Sequence, residues 1–356
     1  MSVLPSSSVG ACWLAAFSWF AGLVGAQEPI AERLRARIAQ DGIPGLSCAA
    51  VVGEEMVFAA GFGLADLEND VPATERTVYR LASISKPVTA VLAMQLVEQG
   101  VLDLDADVHT LVAAWPEKRW PVTTRQLLGH LGGVRHYQGE GESTRHYANQ
   151  IAGLARFAKD PLLHAPGSRF RYSSYGFNLV AAVLEARTGR PFPALVRERI
   201  AVPAHAPTLQ DDDQRRLIKW RAQGYRRVDG ELVNSRLMDS SYKLGGGGLC
   251  ASAPDLARFA RALMAFELVG KDSLTAMWTG QHTRDGRPTN YGLGFAVRTV
   301  DGEQVVSHSG AQARVSTMLV MLPAHRIAVV VMCNLEGVKL AAMTRRIALS
   351  LREEVR

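Results

Sequence analysis

The pattern S-x-x-K occurs twice in the chain, at Ser83–Lys86 and at Ser240–Lys243. A serine hydroxyl becomes a nucleophile only beside a base, and a desolvated lysine amine is such a base when it is neutral. Context separates the two copies. Ser83 and Lys86 stand at the head of SKPVTAVLAMQLVEQ (85–99), almost wholly apolar from Val88 to Val97 and stopped by Gly100. That composition predicts a helix starting near Ser83 and buried on most sides. Pro87 falls in its first turn, where a missing N–H costs no intrahelical bond. Side chains three apart share a face, so the amine can reach the hydroxyl, and the helix N-terminus favours negative charge at Ser83. On this pair alone, a capping serine followed by a lysine snorkelling to solvent is an equal reading. Ser240–Lys243 runs into four glycines, which predicts no helix there.

Two further segments carry groups suited to acyl transfer. FRYSSYGFNL (170–179) sets Tyr172 and Ser174 at Y-x-S spacing before a second apolar helix, and VSHSGA (306–311) sets His308, Ser309 and Gly310 in a strand. Taken singly, Tyr172 also fits a core aromatic and His308 a strand-edge polar residue. Other chemistries lack their residues: there is no G-x-S-x-G elbow, H-E-x-x-H or P-loop. The nine His form no metal-ligand cluster, and Cys12, Cys48, Cys250 and Cys333 form no knuckle or disulfide framework. Neither metal nor other cofactor is expected. His130 and His136 read as local hydrogen-bonding residues, Cys48 and Cys333 as buried thiols.

The elements that position these groups follow from periodicity. Residues 28–41 predict a helix ended by Gly42, and 45–52 with 56–63 a strand pair. Strands are expected again at 291–299, 303–308, 314–322 and 326–333, with a turn at 323–325. Helices are expected at 253–266 and 337–353. Between 105 and 245 helical patterns alternate with polar loops, 135–147 among them. The layout predicts an α+β fold: an antiparallel sheet closed from both chain ends, with helices on its faces. The sheet-containing part is about 27–104 and 246–356, and 105–245 is a mainly helical insertion.

Composition narrows the partners. The 356 residues are 47% hydrophobic and 21% charged, with 40 Lys+Arg against 34 Asp+Glu for a net +6. The basic residues are scattered, at most paired, and not interleaved with aromatics, which disfavours nucleic acid. Residues 1–26 carry no charged side chain and end in Val24-Gly25-Ala26, a small-x-small site. This reads as a signal peptide cleaved after Ala26, giving a periplasmic or secreted protein not held in a membrane; an uncleaved anchor is the alternative.

S-x-x-K first, Y-x-[NS] second and H-S-G third, in that order, resemble the serine β-lactamase/penicillin-binding superfamily, in its class C β-lactamase-like, D-aminopeptidase and esterase branch. The likeness covers nearly the whole mature chain. LLGHLGGVRHY (127–137), GGGGLCASAPDLARFARAL (245–263) and YGLGF (291–295) match family segments in the same order. Within the branch, ASISKP, HLGGVRHY, FRYSSYGFNL and HSG are most similar to the mitochondrial serine β-lactamase-like protein and its bacterial relatives.

The resemblance implies a β-lactamase/transpeptidase-like fold and a serine hydrolase acting through an acyl-enzyme on amides or esters: D-amino-acid peptides, cell-wall fragments or small esters. It implies Ser83 as nucleophile and Lys86 as its activator. Tyr172 would pass the proton to the leaving group, as a phenolate or through Lys86. Ser174, His308, Ser309 and Gly310 would bind substrate, and the N–H groups of Ser83 and Ala311 would form the oxyanion hole. Ser174 replaces the family's frequent Asn, and His308 replaces the β-lactamase Lys. Two roles stay open for His308, a cation for a substrate carboxylate or a neutral hydrogen-bonding group. The alternatives in function are a true class C-like β-lactamase and a non-catalytic penicillin-binding or scaffold protein. The expected partner is a small-molecule or peptide substrate.

Overall fold

A computed structural model describes residues 12–138 and 144–355, without the side chains of 12–26 and 355. The first helix, α1 (Cys12–Asp41), contains the expected 28–41 and extends it towards the N-terminus. The expected leader peptide falls on residues 1–26, of which 1–11 lie outside the described residues. Part of the expected loop 135–147, residues 139–143, also lies outside them. Among the described residues no helix is long and apolar enough to cross a membrane.

The main sheet is antiparallel and seven-stranded. Its strands are β1 (Gly45–Val52), β2 (Glu55–Asp66), β3 (Val71–Pro72), β4 (Ala296–Val300), β5 (Glu303–Gln312), β6 (Val315–Leu322) and β7 (Ile327–Cys333). Their order across the sheet is β3-β2-β1-β7-β6-β5-β4. The centre thus joins the two ends of the chain, with Leu46 opposite Cys333 and Val52 opposite Ile327. Both faces of β1 and β7 are covered, which is why these strands are continuous apolar runs instead of alternating ones. Ala49, Val51, Val330 and Met332 face one core; Cys48, Ala50, Val329 and Val331 face the other. The first core packs beneath α2 (Ser85–Glu98), α3 (Ser174–Thr188) and α4 (Ala253–Met264); the second lies under α1 and α5 (Ala341–Val355). Cys48, Cys250 and Cys333 are free and buried.

Two local expectations are corrected. The segment 291–295 is a turn, not the start of a strand, and β4 begins only at Ala296. A β-carbon on Gly292 would lie 2.0 Å from the Met277 carbonyl oxygen, and one on Gly294, at φ +87°, 2.4 Å from Ala90 Cβ. The two glycines are there for close approach, and the chain turns to make it. Secondly, the glycine run after Ser240 is helical: Ser241–Lys243 form a 3-10 turn and Leu244–Gly247 one α-turn. Low intrinsic propensity is overridden by packing against α3. A β-carbon at Gly245 would meet the Phe177 carbonyl oxygen at 2.6 Å, and one at Gly246 the Ser174 carbonyl oxygen at 2.7 Å.

Candidate active site

Ser83 lies in a 3-10 turn, Ala82–Ile84, that leads directly into α2. The residue before it, Ala82, has φ +47°, a left-handed conformation that costs a non-glycine residue about 1–2 kcal/mol. Strong anchoring holds the turn. The Leu81 carbonyl accepts from Thr317 Oγ1 at 3.0 Å and from the Ile84 N–H at 3.1 Å, and the Leu81 N–H donates to Leu249 O at 2.8 Å. Sequence periodicity places the helix start correctly but gives no sign of the left-handed residue, because alanine rarely adopts it.

Lys86 is wholly buried. Its Nζ lies 3.0 Å from Ser83 Oγ, 3.0 Å from Ser174 Oγ and 2.7 Å from the Gly246 carbonyl oxygen. Burial drives its pKa well below the usual lysine range, and the like charge of Lys243 adds to that. A neutral amine has two N–H groups and one lone pair. Gly246 O can only accept, so it takes one N–H. Ser174 Oγ accepts the second, which turns the lone pair to the Ser83 hydroxyl. The snorkelling lysine is thereby excluded.

Tyr172 completes the group. Burial pushes its phenol up to about 12, while hydrogen bonds with Ser83 and Ser174 draw it back. Burial thus favours the protonated phenol over the phenolate, and Lys86 is the neighbouring group whose neutral form can accept the Ser83 proton. The Lys86 amine sits 4.8 Å from the centre of the Tyr172 ring. The backbone just after Tyr172 is fixed by the two histidines: the Ser173 N–H donates to His130 Nδ1 at 3.2 Å and the Ser174 N–H to His136 Nδ1 at 3.1 Å. Ser173 also caps α3, its Oγ accepting from the Gly176 N–H at 2.9 Å.

His308 is not a cation. Burial and the nearby Lys86 push it down to about 3. Its Nδ1 lies 2.7 Å from Ser309 O, an acceptor, so Nδ1 carries the proton. Its Nε2 then accepts from the Tyr291 hydroxyl at 2.9 Å. With both nitrogens engaged within the protein, the neutral hydrogen-bonding reading holds, with Tyr291 and Ser309 as the partners. Gly310 is likewise corrected: it is buried and spaces β5 from the Ser83 turn. A β-carbon there would stand 2.2 Å from Thr317 Oγ1 and 2.3 Å from Leu81 O.

Ser83, Tyr172, Ser174, His308, Ser309 and Ala311 all line one cavity of about 650 Å³. β4 pairs only with Glu303–Ser307, so the cavity side of β5 from His308 to Gln312 has no strand beside it. Lys243 lines the same cavity, its Nζ 3.0 Å from Met238 Sδ and 5.4 Å from the centre of the Tyr137 ring. The second S-x-x-K motif was the signal for it, masked by the glycines that follow. Among the described residues no group of three His, Cys, Asp or Glu is placed to hold a metal ion.

Residues 30–352 match the Beta-lactamase family model. The chain belongs to the β-lactamase family. It is accordingly a serine hydrolase of β-lactamase fold. Human serine beta-lactamase-like protein LACTB, mitochondrial, is 26% identical over an alignment covering 93% of this chain and 80% of that protein. Esterase EstB of Burkholderia gladioli is 29% identical, with 59% of this chain and 63% of the esterase covered. Among solved structures, the octameric penicillin-binding protein homologue from Pyrococcus abyssi superposes with a TM-score of 0.78 at 25% identity, covering 91% of this chain and 77% of that one. The family resemblance carried by Ser83, Lys86 and Tyr172 thus extends across the whole β-lactamase unit.

Proposed function

We propose that this β-lactamase-family protein cleaves small esters and D-amino-acid amides or peptides through an acyl-enzyme on Ser83. The observation that carries the reading is the buried, neutral Lys86 with its lone pair turned to the Ser83 hydroxyl. Lys86 takes the hydroxyl proton as Ser83 Oγ attacks the substrate carbonyl. The N–H groups of Ser83 and Ala311 receive the developing oxyanion. The proton then passes from Lys86 through the Tyr172 hydroxyl to the leaving group, which departs and leaves the ester on Ser83. Water attacks that ester by the same route in reverse, and the acid is released. The free edge of β5 suits an extended substrate, whose backbone can pair with it as an added strand. The similarity to an enzyme named an esterase supports the ester side of this specificity.

Fluorophosphonate labelling followed by peptide mass spectrometry tests it. The adduct is expected on the peptide holding Ser83, and Ser83→Ala is expected neither to label nor to turn over p-nitrophenyl esters and D-alanine amides. An adduct on Ser240, or labelling with no turnover of any of these substrates, would reject the reading, the latter in favour of a penicillin-binding protein without hydrolytic activity. Rapid cephalosporin hydrolysis exceeding ester turnover would move the assignment to a true β-lactamase.

A further inference from the structure

Gln312 is the next residue along β5 after the proposed oxyanion donor Ala311. Successive strand side chains point to opposite faces, so Gln312 shares the face of His308 and Gly310, against the Ser83 turn. Its carboxamide lies over Gly247: Gln312 Oε1 would be 3.4 Å from a β-carbon placed there, with Ala82 O at 3.7 Å from the same point. Gln312 lines the catalytic cavity together with Ser83, Gly246 and Gly247. Yet its Nε2 is buried with no hydrogen-bond partner among the described residues. A buried orphan donor is destabilising, and one that borders a substrate cavity gains a partner when a ligand supplies an acceptor. The terminal amide torsion is soft and two-fold, so a half-turn brings the NH₂ group into the cavity at little cost. It leaves an oxygen in the dry position, and under-satisfied carbonyl oxygens are commoner than orphan N–H groups.

The position fixes which part of a substrate meets it. Tyr172, which delivers the proton to the leaving group, sits beside His308, their rings 6.5 Å apart. Four residues along the strand, about 13 Å at 3.3 Å per residue, lies Gln312. With the scissile carbonyl between the Ser83 and Ala311 N–H groups, the leaving group extends towards Tyr172 and the acyl group towards Gln312. We propose that Gln312 is a specificity residue that recognises an amide carbonyl in the acyl part of the substrate, so that the enzyme favours acylamino acyl groups over plain alkyl ones. The inference rests on the acyl-enzyme reading above, and supplies an amide contact that Ser174, shorter than the family's frequent Asn, reaches less far to make.

The test uses two p-nitrophenyl esters with acyl chains of equal length, N-acetylglycinate and pentanoate, on wild type, Gln312→Leu and Gln312→Met. Fluorophosphonate labelling of Ser83 and Tm accompany each protein. The kcat/KM for N-acetylglycinate is expected to fall on the order of tenfold in both variants, mostly through KM, with the pentanoate value unchanged within about twofold. Gln312→Leu is expected to raise Tm, since the orphan donor is gone. Equal changes on both esters, or no change on either, in variants that still label at Ser83 would overturn the inference and leave the serine-hydrolase reading standing. A wild type that neither labels nor hydrolyses either ester would overturn both. Should Gln312→Leu fail to label, Gln312→Met decides by the same comparison.

Discussion

At the scale of single residues, the site is governed by burial of cationic groups in their neutral forms. Lys86 works as a free base, so kcat/KM should rise with pH through a midpoint well below the usual lysine value of 10.5. Lys86→Met should cut kcat on the order of 10³-fold with little change in KM, as expected for removal of a general base. The same substitution should raise Tm at pH 7. A lysine whose folded pKa is depressed adds stability only above its unfolded value and loses that share as pH falls, so at neutral pH it is a burden on the fold. His308 obeys the same sign. Its contribution is complete above about pH 6.5 and is lost as pH falls towards about 3. Thermal unfolding of wild type and His308→Gln across pH 3–7 should show the wild-type curve falling more steeply with acid. Because His308 is neutral, a carboxylate substrate and its methyl ester should share one KM–pH profile between pH 6 and 8. His308→Lys should slow both, since an ammonium placed beside the neutral Lys86 would lower its basicity further.

At the scale of elements, the decisive device is the close approach of β5 to the turn bearing Ser83. Gly310→Ala would drive a methyl group into Thr317 Oγ1 and Leu81 O, both of which hold that turn. Destabilisation of about 1–3 kcal/mol is expected by chemical denaturation, with a loss of kcat larger than stability alone explains, because Ser83 and the strand move apart. How far such elements could be read from sequence depends on what shaped them. β1 and the helix after Ser83 were legible because long apolar runs between Pro44 and Gly53, and up to Gly100, leave few other solutions. Ser83, Lys86 and Tyr172 were legible because motif order fixes them. The left-handed Ala82, the helical turn at Leu244–Gly247 and the tautomer of His308 were not. The first two are imposed by partners far along the chain, Thr317 and α3; the third is set by the Ser309 carbonyl oxygen, which only the folded backbone brings to Nδ1. Neither local propensity nor periodicity carries that information. Gln312 was missed for the same reason, since nothing in HSGAQ shows that its amide nitrogen lacks a partner.

At the scale of the whole molecule, the sheet has its earliest and latest strands at its centre and the catalytic edge at one side. We propose that the mature chain is exported and begins at Gln27, as the small residues before it suggest; N-terminal sequencing of protein recovered outside the cytoplasm should read QEP. Full-length protein in the membrane fraction would instead favour the anchor. The pairing of β1 with β7 also sets a timetable for synthesis. The Gly45 N–H donates to Asn334 Oδ1 across 289 residues of chain. The hairpin of β1 and β2 leaves the ribosome early, yet its central neighbour does not exist until β7 has been made. At about 5–20 residues per second that is a wait of roughly 15–60 s. Through that interval the first apolar strands have no completed sheet to join. The same delay keeps the sheet open at its centre until β7 has been made.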